Sequence, residues 1–166
     1  MTGLVVPWYR VREVLCILSG NFSPNKHIIV MDISALNWWA VIVAGVAAWV
    51  IGAVWYAGPL FGKAWQKELG FTTEYLQEAN MAKVFGSSLV LMILMAFGMA
   101  MFFGPETEMT WQEGATYGAM TGIFFVATSI GINYLYQRRS FKLWMIDALY
   151  QIIFLTVQGT IIGAWR

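Results

Sequence analysis

Charged residues are scarce in this sequence. Only 11% of its 166 residues are Asp, Glu, Lys or Arg, whereas an ordinary globular domain has about 25%. A soluble chain needs charged side chains to cover its surface, yet 59% of these residues are hydrophobic and 16% are aromatic. The deficit therefore indicates that lipid, rather than water, surrounds most of the chain.

Cysteine and histidine are almost missing. The single cysteine, Cys16, excludes an internal disulfide framework and a Cys-rich metal site. The single histidine, His27, leaves little for His-based metal or acid–base chemistry. The net charge of +1 provides no basic field for nucleic acid, and no catalytic pair or phosphate-binding glycine loop is visible. We therefore expect no enzymatic activity, no cofactor, no metal and no nucleic-acid partner.

Four long apolar runs are present instead. A bilayer core about 30 Å thick is crossed by roughly 20 apolar residues in a helix. The runs predict membrane-spanning helices over residues 38–56, 84–103, 115–136 and 143–164. A soluble bundle is the alternative, but its helices would show a polar face at the helical period, which the first two runs lack. We predict an all-α integral membrane four-helix bundle whose first partner is the lipid bilayer.

Lysine and arginine are distributed unevenly among the loops. Loop 57–83 carries three lysines, and loop 137–142 carries two arginines and a lysine. The loop between the second and third spans has neither residue. The positive-inside rule then places both basic loops in the cytoplasm and both termini outside the cell membrane, although Arg166 is a mild violation.

The first thirty residues do not fit this orientation, because they carry three basic residues of their own. Their apolar run is too short to span a bilayer and lacks the shape of a signal peptide. They are either a surface or disordered extension, or the result of placing the start codon too early. We favour the second interpretation, with Met31 as the physiological start. The predicted division is therefore an extension over 1–30 and a membrane domain over 31–166.

The first basic loop contains an amphipathic segment. Residues 60–69 read LFGKAWQKEL, with apolar residues recurring at helical spacing and lysines on the other side. This pattern predicts a short cytoplasmic helix in the membrane interface, ended by Gly70. A helix-start signal at Thr72 or Thr73, followed by Glu74, predicts that residues 74–83 continue helically into the second span. A merely solvated loop is the alternative.

Small residues repeat at every fourth position in three of the spans. The rows are Ala44, Ala48 and Gly52 in the first span, Gly114, Gly118 and Gly122 along the third, and Gly159 and Gly163 in the fourth. Such rows let helix backbones approach closely in lipid. We predict packing within one bundle. In the alternative, the row of Gly114 forms a homodimer face.

Polar side chains are concentrated in the fourth span. Asp147 is the only carboxylate inside a span, and Gln151 follows it by one helical turn. Asn133 ends the third span on the same side of the membrane, so these three residues could line a small polar pocket. Gln158 is deeper, and we expect it to bond to a neighbouring helix.

An ionisable group at membrane depth is costly and is a functional candidate by default. Asp147 lies only about one turn from the second basic loop. We predict a structural ion pair with Lys142, Arg138 or Arg139. The alternative is a proton- or cation-linked role.

Two stretches have the residue pattern of a known family. Residues 37–65 read NWWAVIVAGVAAWVIGAVWYAGPLFGKAW, and residues 143–165 read LWMIDALYQIIFLTVQGTIIGAW. They resemble the opening and closing parts of DUF1761, a family of small bacterial and fungal membrane proteins. The loop part of the pattern consists of Phe61, Gly62, Lys63 and Trp65.

The resemblance covers residues 31–166 and leaves out residues 1–30. It implies a four-helix membrane domain, with Asp147 and Gln151 inside the closing motif. It implies no activity, because the family is one of unknown function.

Two kinds of function fit these features. The first is a structural or accessory membrane protein, acting as a homo-oligomer or as a subunit of a larger membrane complex. The second is a small proton- or cation-linked transporter or channel with Asp147 and Gln151 along its path. Four helices are too few to enclose a roomy route, so the second function requires an oligomer.

Overall fold

A computed structural model describes residues 33–104 and 109–165 of the chain. The regular structure of this part is entirely helical. Its helices are α1 (Trp38–Trp55), α2 (Lys63–Leu69), α3 (Thr73–Glu78), α4 (Met81–Phe103), α5 (Trp111–Tyr136) and α6 (Phe141–Ala164), preceded by a short 3₁₀ turn at Ile33–Ala35. The expectations about residues 1–30 and a start at Met31 lie outside the described residues.

Helices α1, α4, α5 and α6 are each long and apolar enough to cross a membrane. They coincide with the four predicted spans, but the last three begin two to four residues earlier than predicted. The reason is capping: the side chains of Asn80, Thr110 and Ser140 accept the first free backbone amides of their helices. These capping residues are polar, so a hydropathy pattern leaves out the helical turn that follows them.

The helix predicted over residues 60–69 is present from Lys63 onwards, and its place in a membrane interface stays a prediction. Gly58–Gly62 form a wide turn, in which the amide of Gly62 donates to the carbonyl of Ala57 at 3.1 Å. Helix α2 follows directly and ends at Gly70, whose φ of +71° is the left-handed conformation typical of a glycine after a helix.

The predicted continuous helix over residues 74–83 is wrong. Thr72 does cap a helix, by accepting from the amide of Tyr75, but α3 ends at Glu78. Ala79 is extended, with φ −71° and ψ 133°. The side chain of Asn80 then accepts from the amide of Lys83 and begins α4. An asparagine that bonds to the backbone ahead of it competes with the helix behind it, so Asn80 is a start signal inside the predicted helix.

Helix α6 is the centre of the fold. It packs against α1, α4 and α5, while α1 also packs against α4. Half of the apolar stretch of α6 is buried, against 17% for α4 and for α5. The largest fully buried side chains are Val41, Leu143, Phe154, Leu155 and Gln158. Four of these five belong to α6, so the helix that carries Asp147, Gln151 and Gln158 is also the most enclosed one.

The glycine row of α5 lies against α6. A Cβ atom added at Gly114 would be 2.2 Å from the carbonyl oxygen of Gly159, and one at Gly118 would be 2.2 Å from that of Leu155. The two backbones therefore touch, and neither position has room for a side chain. The alternative of a homodimer face does not hold for this row, because α6 of the same chain covers it. A homo-oligomer through another surface stays a prediction.

The other small-residue rows are also used within the chain. Ala44 and Ala48 of α1 are fully buried, and a Cβ at Gly52 would be 2.6 Å from the Tyr150 hydroxyl oxygen. In α6, Gly163 lies against the backbone at the start of α5. The small residues thus let α1 and α5 both come close to the central helix.

Candidate functional site

Asp147 of α6 is held by two tyrosines from two other parts of the fold. The Tyr56 hydroxyl donates to Asp147 Oδ1 at 2.7 Å, and the Tyr134 hydroxyl donates to Asp147 Oδ2 at 2.6 Å. Tyr56 directly follows α1, and Tyr134 lies near the end of α5. Asp147 is only 7% exposed. One buried acidic group therefore joins the ends of three helices.

This arrangement corrects the expected ion pair of Asp147. Lys142 lies 3.3 Å from Glu68 Oε1 instead, and Arg138 and Arg139 are exposed in the turn before α6. Lys142 precedes Asp147 by five residues, which turns it about 140° around the helix axis, away from the face that carries the aspartate. The tyrosine hydroxyls occupy the positions that the sequence analysis assigned to a cation.

A wide turn in α5 directs Tyr134 towards Asp147. The residues of α5 buried against α6 are Gly114, Gly118, Gly122 and Ala127, at intervals of four, four and five residues. The longer interval falls in Gly122–Ala127, where the helix widens to π-type bonding and accommodates one extra residue. The Trp144 indole donates to the Ala127 carbonyl at 2.9 Å and so satisfies a group at the widened turn.

The extra residue changes which face Tyr134 occupies. Tyr134 follows Gly122 by twelve residues, and in an uninterrupted α-helix it would lie about 120° from Gly122 around the axis. With one residue absorbed by the wide turn, the angle falls to about 20°. The tyrosine thus shares the α6-facing side with the glycine row. π-type turns of this kind are frequent at functional sites.

The loop after α1 positions Tyr56. A Cβ at Gly62 would be 2.3 Å from the Tyr56 carbonyl oxygen, so only glycine lets the loop fold this closely beneath Tyr56. Three residues after Gly62, the ring of Trp65 meets the ring of Tyr56 edge to face, with centroids 5.3 Å apart. The turn Gly58–Gly62 and α2 therefore fix Tyr56, one of the two tyrosines that bind Asp147.

Asp147 lies in the wall of an open pocket of about 440 Å³. The lining residues are Tyr56, Trp65, Ile130, Asn133, Tyr134, Gln137, Asp147 and Gln151. Three of the four polar residues singled out in the sequence, Asp147, Gln151 and Asn133, are thus brought together. Gln158 is not among them.

Gln158 lies seven residues beyond Gln151, about 10 Å further along α6. It is fully buried, and its Nε2 donates to the backbone carbonyl of Met92 in α4 at 3.0 Å. This is the kind of helix-to-helix bond that the sequence predicts. The Oε1 atoms of Gln151 and Gln158 are buried and have no hydrogen-bond partner among the described residues.

A second polar cluster joins the basic loops near this pocket. Glu68 of α2 accepts a hydrogen bond from the Ser140 hydroxyl at 2.5 Å in addition to its contact with Lys142. The Ser140 hydrogen bond and the lysine beside it hold the pKa of Glu68 below its ordinary value. The cluster attaches α2, and with it Trp65, to the start of α6.

Sequence reasoning missed the two tyrosines and Trp65 as site residues. Tyr and Trp are common at the membrane boundary, so aromatic side chains near the ends of predicted spans do not by themselves indicate a polar site. A usable signal did exist, because a carboxylate in an apolar span needs hydrogen-bond donors. Tyrosines at helix ends on the same side of the predicted bundle are the nearest donors with an apolar body.

The described residues thus form an all-helical unit with four helices long and apolar enough to cross a membrane and a polar pocket at one end. A family model described as "Protein of unknown function (DUF1761)" matches residues 39–163. The chain therefore belongs to the DUF1761 family, as the resemblance of its two motifs indicates. Neither a curated protein nor a solved structure matches the chain.

Proposed function

We propose that this chain is a multi-pass protein of the cell membrane that acts as a structural or accessory component, not as an enzyme. Its large exposed side chains support membrane insertion, because residues such as Val90, Leu94 and Phe125 are more than half exposed on α4 and α5. Apolar side chains in such positions suit lipid tails or a partner protein. We place loops 57–83 and 137–142 in the cytoplasm, both termini outside, and α2 in the membrane interface.

The observation that carries the structural role is the pair of tyrosine bonds to Asp147. A buried carboxylate bonded to two helices restricts how those helices pack, since a changed packing would leave a charge without partners. Gln158 makes a comparable bond to α4. The main polar groups of α6 therefore hold the bundle in one arrangement, as an assembly component requires.

Cross-linking in native membranes, followed by mass measurement, tests this role. We expect the chain in an assembly larger than a monomer, either with copies of itself or with another membrane protein. The double variant Tyr56→Phe, Tyr134→Phe should weaken that assembly. Tyr136→Phe is the matched control, because Tyr136 is 86% exposed. A monomer without partners in the membrane would argue against an accessory role.

The orientation has its own test. Single cysteines at Lys67 and Arg139, in a background without Cys16, should react with a membrane-impermeant maleimide only after the cytoplasmic side is opened. Labelling of intact cells at either position would contradict the proposed orientation.

A specific observation favours a second candidate, a proton- or cation-linked transporter or channel acting as an oligomer. Asp147, Gln151 and Asn133 share one open pocket, and polar groups at such depth are typical of ion pathways. Flux measured in proteoliposomes tests this function. Transport by the parent that is lost in Asp147→Asn would support it, whereas a parent without flux would contradict it.

A further inference from the structure

We propose that the pocket around Asp147 binds a primary ammonium group, carried either by the headgroup of phosphatidylethanolamine or by a free alkylamine. This binding function goes beyond the structural role of the same aspartate.

The hydrogen-bond inventory of the pocket leads to this ligand. A carboxylate offers about four lone-pair sites, and each oxygen of Asp147 accepts one tyrosine bond. Each oxygen therefore keeps acceptor capacity. Gln151 Oε1, one turn further along α6, is a buried acceptor without a donor among the described residues. Asp147 and Gln151 both line the pocket, and a rotation of the Gln151 side chain would turn its buried oxygen towards a ligand there.

A donor-rich cation fits these free acceptors better than other ligands do. A primary ammonium brings one positive charge and three N–H donors, which suits a single carboxylate with a neighbouring amide oxygen. In the described part of the chain, no three His, Cys, Asp or Glu side chains form a group able to hold a metal ion. A quaternary ammonium has the charge but no N–H donor, so it would leave the oxygen of Gln151 unpaired.

The remaining walls suit a short alkylammonium. Trp65 and Tyr56 present adjacent rings to the pocket, and aromatic faces attract cations. Ile130 supplies an apolar surface for methylene groups. A pocket of about 440 Å³ has room for more than an ion.

The surroundings favour the lipid as the source of the ammonium. Gln137 lines the pocket, and the exposed Arg138 and Arg139 follow it directly in the chain. Guanidinium groups bind phosphate well. A headgroup with an ammonium inside the pocket and a phosphate beside these arginines would satisfy both charged regions.

Native mass spectrometry of the purified full chain tests the proposal. The protein is equilibrated with equal amounts of phosphatidylethanolamine and phosphatidylcholine, in which methyl groups replace the N–H donors. We expect a preference for phosphatidylethanolamine of about tenfold, because the ammonium makes charge-assisted hydrogen bonds. Equal retention of the two lipids would overturn the proposal.

Variants locate the binding site. Asp147→Asn should remove the preference, and Gln151→Leu should reduce it several-fold. Gln112→Leu is the matched control, since Gln112 is an exposed amide near the start of α5, at the other end of that helix. A preference that survives both pocket variants would also overturn the proposal. If Asp147→Asn does not fold, the lipid preference of Gln151→Leu alone decides between the outcomes, because this variant leaves the tyrosine bonds to Asp147 in place.

Free ethanolamine separates the two sources of the ammonium. Displacement of phosphatidylethanolamine by ethanolamine, but not by choline, would support a free alkylamine as the ligand. A lipid preference that ethanolamine does not reduce would support the lipid headgroup. The oligomeric state recorded in the same spectra reports on the structural role separately.

Discussion

The two halves of the interface between α5 and α6 are built in opposite ways. In the first half, Gly114 and Gly118 of α5 touch the backbone of α6, and side chains are excluded. In the second half, Tyr134 and Trp144 bridge the helices through hydrogen bonds. The first half requires that Gly114 and Gly118 carry no side chain, and the second half requires particular hydrogen-bonding groups. One helix pair can therefore combine a contact that tolerates no added volume with one that tolerates no change of chemistry.

The glycine half should show the largest effect of a small change. Gly114→Ala should destabilise the protein by about 3 kcal/mol, the upper end for overpacking, because its Cβ would meet a backbone oxygen rather than a flexible side chain. Thermal melting in detergent measures the loss. Gly98→Ala in α4 is the control, since a Cβ there meets nothing within 4 Å. Equal melting of the two variants would contradict this account.

The wide turn between the halves should tolerate a deletion better than an insertion. Deleting Phe125, which is 72% exposed, would let the turn become ordinary α-helix and leave Tyr134 facing α6. Inserting an alanine after Phe125 would rotate Tyr134 by about 100° and break its bond to Asp147.

Melting temperatures of the two variants check this prediction. The insertion should lower the melting temperature by considerably more than the deletion does. If the deletion lowers the melting temperature at least as much as the insertion, the widened turn stabilises the protein directly and not by positioning Tyr134.

The tyrosine half should respond more mildly. Tyr134→Phe removes one hydrogen bond and should cost about 1 kcal/mol, in the range of polar bonds between membrane helices. A double-mutant cycle with Asp147→Asn should show that the two changes are coupled. Tyr136→Phe should change nothing. Additive effects of Tyr134→Phe and Asp147→Asn would mean that their bond adds no stability.

The smallest effect should come from Glu68 in the loop cluster. Because its pKa is lowered in the folded protein, its contribution is present above the unfolded-state pKa. The contribution disappears as the pH falls through the lower folded-state value. Glu68→Gln should therefore reduce the melting temperature slightly at neutral pH and not at strongly acidic pH. A variant that melts lower than the parent by the same amount at both pH values would refute this explanation.

The sequence predicted the four helices because long apolar runs are a strong and local signal. It also predicted that Asp147, Gln151 and Asn133 could share a pocket, because helical spacing and the alternating direction of successive long helices are readable from one chain. It did not predict the partners of Asp147, because Tyr56 depends on how the loop after α1 folds, and Tyr134 depends on the widened turn of α5, for which the residues themselves carry no recognisable signal. A shift of one residue in that turn decides which aromatic side chain becomes a ligand and which faces outwards.

Gly62 has a practical consequence for inserting foreign sequence into this protein. The connection after α1 is the longest described loop, and such loops ordinarily accept tags and fluorophores. Here the glycine packs beneath the carbonyl of Tyr56, so added residues near it would move a wall of the pocket. The exposed break between α3 and α4, at Ala79, carries no such contact with the pocket. An epitope placed after Glu78 would report on the loop while leaving the polar end of the bundle as it is.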